Sequence, residues 1–112
     1  MDNDRRKAMR ICNEIMGYFI EHRAKKLQVE MDVSNSVIEI NVSADLPDRP
    51  HDLDAFISAM DEPRQPEMDE YYDGLLGFNS KLQGYRLLGT MVDKVNISYE
   101  NGCLSVHVER RQ

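Results

Sequence analysis

The sequence predicts an α+β fold over one domain, residues 1–112: a two-layer sandwich in which a mixed four-stranded sheet, built from two hairpins, carries helices on one face. Three observations predict it. Apolar residues recur at helical spacing near the start and in the middle of the chain. They alternate strictly in two separated pairs of segments, and proline-containing stretches divide the halves. Each hairpin is antiparallel by construction, so the sheet cannot be purely parallel. Its apolar face needs a second layer, which the helices supply.

After Asp2, Asn3 and Asp4, which suit a helix start, Ala8, Ile11, Cys12, Ile15, Met16, Phe19 and Ile20 mark one face of a long first helix. The cations Arg23, Lys25 and Lys26 suit the partial negative charge at its end. The period then falls to two. Leu27, Val29, Met31 and Val33 alternate with Gln28, Glu30 and Asp32; Ser34 to Ser36 break the pattern, and Ile38, Ile40, Val42 and Ala44 resume it as a hairpin partner. Pro47 and Pro50 end that strand, and Pro50 and Asp52 open a short helix with Leu53, Phe56, Ile57 and Met60 on one face. Asp61 to Asp69 reads as a loop, and Met68, Tyr71, Tyr72, Leu75 and Leu76 as a helical stripe closed by Gly77. A second loop, Phe78 to Gln83, leads to Gly84 and a last stripe of Leu87, Leu88, Met91, Val92 and Val95. Val95, Ile97 and Tyr99 then alternate, Asn101-Gly102 is a strong two-residue hairpin signal, and Leu104, Val106 and Val108 return as the final strand. The opposite sheet face would carry Gln28, Glu30, Asp32, Glu39, Asn41, Ser43, Asn96, Ser98, Ser105 and His107, all suited to water.

Composition narrows the function. The formal charge is −6, from 14 Lys plus Arg against 20 Asp plus Glu, which argues against nucleic acid because phosphate-backbone binders need clustered cations. The same charge repels ATP at long range, so a nucleotide site would need local donors and a cation. Cys12 and Cys103 show no metal-ligand spacing and read as buried, reduced thiols. No apolar run approaches the roughly 18 residues that span a membrane, so no membrane and a cytoplasmic location are expected.

Two segments carry a resemblance. Glu14-Ile-Met-Gly-Tyr18-Phe-Ile-Glu-His22 is similar to the N-box helix of the GHKL ATPases, the superfamily of histidine kinases and anti-sigma-factor kinases, usually Glu-x-x-x-Asn-Ala-x-x-His. Gly84 to Val95, followed by Asn96 to Val108, resembles that family's last glycine box, helix and closing hairpin. The likeness covers most of the chain in element order and implies a Bergerat-type fold with an ATP and Mg²⁺ site. In that reading Glu14 is the catalytic carboxylate, and Tyr18, His22, Asp45 and Gly84 are the candidates for cofactor binding.

The residues present do not meet the chemistry of such a site. Tyr18 stands at the Mg²⁺-holding Asn, and a phenol is a poor substitute for an amide oxygen. Val42 and Ala44 fall at the adenine-reading Asp and its first glycine; a shifted register that uses Asp45 puts Pro47 and Arg49 where glycines belong. The expectation is therefore a domain with a degenerate ATP site, no catalytic residue, no resident cofactor or metal, and a protein or a second copy of itself as partner. The alternatives are an ATP-binding anti-sigma-factor-type protein kinase, with Glu14 as base and Asp45 reading adenine, and an unrelated small α+β interaction domain. Tyr18 and His22, four apart, share a helix face; His51 and His107 have no companion spacing. The basic cluster Arg5, Arg6, Lys7 and Arg10 and the acidic stretch Asp61 to Asp73 suit solvent or protein contact.

Overall fold

A computed structural model describes residues 3–65 and 81–112. It comprises helix α1 (Asn3–Glu21), strands β1 (Leu27–Asp32) and β2 (Val37–Asp45), helix α2 (Leu53–Met60), helix α3 (Lys81–Gly89), and strands β3 (Lys94–Glu100) and β4 (Cys103–Arg111). The helical stripe from Met68 to Gly77 falls outside the described residues, as does most of the acidic stretch Asp61 to Asp73.

The strands form one sheet in the order β1-β2-β4-β3. It is antiparallel throughout, not mixed: the two hairpins join along β2 and β4, which run in opposite directions from Val37 opposite Arg111 to Asp45 opposite Cys103. Alternation in the sequence identifies strands and their faces, but it is silent on which strand of one hairpin meets which strand of the other. The inner face is apolar, with Ile38, Ile40, Val42 and Ala44 of β2 and Leu104, Val106 and Val108 of β4 buried against Ala8, Ile11, Ile15 and Phe19 of α1. The other face repeats as polar rungs. Gln28, Ser43, Ser105 and Ser98 lie across the four strands, then Glu30, Asn41, His107 and Asn96, then Asp32, Glu39, Glu109 and Lys94.

Local chemistry explains the element ends. α1 stops at Glu21 because Arg23 takes the left-handed conformation, with φ of 70°. Its amide donates to Ile20 O, and that of Ala24 donates to Phe19 O, the pair of bonds that closes a Schellman cap. Glycine usually fills that position, so the cap itself carries no sequence signal, and the helix ends two residues before Arg23, leaving the cations Arg23, Lys25 and Lys26 beyond it. Asp32 folds the first hairpin, its carboxylate accepting from the Ser34 amide and hydroxyl. Asn101 and Gly102, both at positive φ, make the second turn as expected.

α3 begins at Lys81, within the stretch expected to be a loop, and ends at Gly89. Met91 and Val92 are buried beyond its end rather than on a continuing helix. Gly89 lets α3 approach α2: a Cβ there would stand 2.7 Å from the Met60 carbonyl oxygen. On the inner face Arg110 continues the β4 alternation where an apolar residue would be expected, and is only 2% exposed. Its guanidinium donates to Asp4 Oδ1 at 2.8 Å and to Met91 O at 2.7 Å, tying β4 to the start of α1 and the turn after α3. Of the two thiols, Cys12 is buried and its pKa is raised by burial, whereas Cys103 is half-buried at the start of β4, outside the core.

Candidate functional site

The C-terminal part of α1, the turn leading into α2, α2 itself and the start of α3 converge on one cluster of rings. Tyr18, 1% exposed, stacks on Phe56 with ring centroids 3.9 Å apart and planes within 11°. Tyr85 of α3 meets both edge-on, at 5.7 Å from Tyr18 and 4.8 Å from Phe56. These are the offset and T-shaped contacts that aromatic quadrupoles favour, each worth about 0.5–1.5 kcal/mol beyond burial. Among the described residues, these three rings pack together where α1, α2 and α3 meet.

A polar edge adjoins the stack. His22, one helical turn after Tyr18, lies 4.5 Å from it ring to ring and 5.9 Å from His51. The Tyr18 hydroxyl donates to Asp52 Oδ1 at 2.8 Å, and His22 Nε2 stands 3.1 Å from the same oxygen. Asp52 occupies the position before α2, where a carboxylate ordinarily caps the helix, yet its side chain makes no capping bond. It is turned to α1 instead. Burial pushes the Tyr18 phenol well above its ordinary range, helped by the bond to Asp52 and by that residue's charge. Tyr85 moves in the same direction, first through burial and then through the negative charges of Glu21, Glu14 and Asp52.

Of the residues singled out in the sequence, Tyr18 and His22 are at the centre of this cluster. Glu14 is half-buried on α1, one turn before Tyr18, and its negative charge contributes to the raised pKa of Tyr85. Asp45 is exposed at the end of β2, opposite Cys103, and among the described residues no hydrogen bond or ion pair joins it to the cluster. Gly84 is half-buried in α3 beside Tyr85. Val42 and Ala44 lie in the core beneath the helices. Sequence reasoning missed His51, Asp52, Phe56 and Tyr85 as members of the site; Phe56 was readable as apolar and Asp52 as a helix start, but their meeting with α1 is tertiary.

A second polar cluster sits on the open sheet face. His107 Nδ1 is 2.7 Å from Asn41 Oδ1, and its Nε2 is 2.8 Å from Glu109 Oε2 and 3.9 Å from Glu39 Oε1. The hydrogen bond with His107 holds the Glu109 carboxyl below its ordinary value. No family model matches the chain, and neither the curated proteins nor the solved structures contain a match.

Proposed function

We propose that this chain is a non-catalytic regulatory or protein-interaction module, on a scaffold like that of the histidine kinase-like ATPases, whose nucleotide site is degenerate. One observation supports the reading: Tyr18, which the GHKL resemblance sets at the Mg²⁺-holding Asn, is buried and packed on Phe56 and Tyr85 rather than open to a ligand. Two more support it. Val42 and Ala44, which the resemblance sets at the adenine-reading Asp and its first glycine, are apolar core residues, and burial raises the pKa of both tyrosines of the stack.

The partner in this reading is a protein or a second copy of the chain. Met9, Ile20, Val29 and Ile57 are large apolar side chains left exposed, and Met9 and Ile20 are more than half so. The acidic rungs of the open sheet face disfavour nucleic acid there. No described helix is long and apolar enough to cross a membrane, and two unbonded cysteines fit a cytoplasmic setting. Isothermal titration with ATP and Mg²⁺ tests the reading. No saturable heat is expected; micromolar binding would overturn it and restore the kinase alternative with Glu14 as base.

A further inference from the structure

We propose that His22, His51 and Asp52 form a site for a divalent transition ion of the Zn²⁺ type, independent of whether the module binds a protein. Their ligand atoms all lie within 4.8 Å of one another, and the donor set, two imidazoles and a carboxylate, suits a borderline-soft ion and leaves a fourth position open. In a tetrahedral Zn²⁺ site with bonds of about 2.0–2.1 Å, neighbouring ligand atoms stand about 3.3 Å apart. His22 Nε2 and Asp52 Oδ1, at 3.1 Å, already have that spacing. His51 is exposed on the turn before α2, its ring 5.9 Å from that of His22.

The surroundings favour a cation at this place. His22 directly follows the last residue of α1, where the helix dipole leaves partial negative charge. Asp52 is not engaged as the cap of α2, and the Tyr18 hydroxyl holds its carboxylate toward His22 in the manner of an outer-shell partner to a metal ligand. Arg49 of the same turn is paired with Asp54, 2.7 Å away. The His107 cluster is the poorer candidate. Both of its ring nitrogens already face oxygens, of Asn41 and Glu109, whereas in the His22 cluster an ion would replace the single contact between His22 Nε2 and Asp52 Oδ1.

The test titrates chelator-treated chain with ZnCl₂ by calorimetry and with CoCl₂ by visible absorption. The wild type should take up one ion with micromolar or tighter affinity and give tetrahedral Co²⁺ bands without thiolate charge transfer. His51→Ala, which removes an exposed side chain, and Asp52→Asn should each weaken binding about tenfold or more, Tyr18→Phe about tenfold, and His107→Ala not at all. Absence of saturable micromolar binding would overturn the proposal, as would unchanged affinity in His51→Ala, a loss confined to His107→Ala, or a thiolate band pointing to Cys12 or Cys103.

Discussion

Replacing Tyr18 distinguishes a filled helix junction from a vacant site. Its ring is 1% exposed and stacked on Phe56, so Tyr18→Ala removes a full aromatic side chain from a packed position and should cost about 3–5 kcal/mol. Tyr18→Phe keeps the ring and loses only the hydroxyl bond to Asp52 Oδ1. The Asp52 side chain is 43% exposed, so water can replace the lost donor and the cost falls to about 1 kcal/mol. Urea unfolding of the three proteins measures both values, with an unchanged slope showing that the unfolded state is the same. A loss below about 1 kcal/mol for Tyr18→Ala would refute the packing argument, because a ring that fills nothing can be removed at little cost. A Phe variant as unstable as the Ala variant would refute the division between ring and hydroxyl.

Asp4→Ala removes a carboxylate that the buried Arg110 guanidinium donates to and should cost about 2–3 kcal/mol by chemical unfolding, less than a fully buried pair because Asp4 is a third exposed; the double variant with Arg110→Met should recover part of the loss. Arg23→Gly should stabilise the chain by about 0.5–1 kcal/mol, seen as a higher melting temperature, because Arg23 holds a left-handed φ of 70° at the α1 cap. Gly89→Ala should destabilise it, since the added Cβ meets the Met60 carbonyl at 2.7 Å and α2 and α3 must part. The Glu109 carboxyl is held below its ordinary value near 4.5 by His107, so its contribution to stability is present above that value and is lost as pH falls through the lower, folded-state value; Glu109→Gln should flatten the acid limb of a stability–pH profile.

Much of the fold was legible because burial imposes a period. The i, i+3, i+4 spacing of Ala8, Ile11, Cys12, Ile15 and Phe19 and the alternation of Ile38 to Ala44 each reflect one face turned inward, and Asn101-Gly102 gave its turn by backbone chemistry. What failed to show was non-local or unconventional. Nothing in two hairpins says that β4 lies beside β2, Arg23 performs a task usually left to glycine, and Arg110 places a cation where the alternation calls for an apolar residue. The site divides in the same way. Tyr18 and His22 were visible as a pair because one helix spaces them, while His51 and Asp52 reach them only through the fold of the chain around Pro50, a contact 34 residues apart in the case of Tyr18 and Asp52.

The most direct test of the central claim is a crystal structure of the chain soaked with a non-hydrolysable ATP analogue and Mg²⁺, since it reads the fold and the site together. No nucleotide is expected between α1, α2 and α3, with Tyr18 stacked on Phe56 and bonded to Asp52. An analogue bound there, with the Tyr18 ring displaced and Glu14 facing the phosphates, would contradict it.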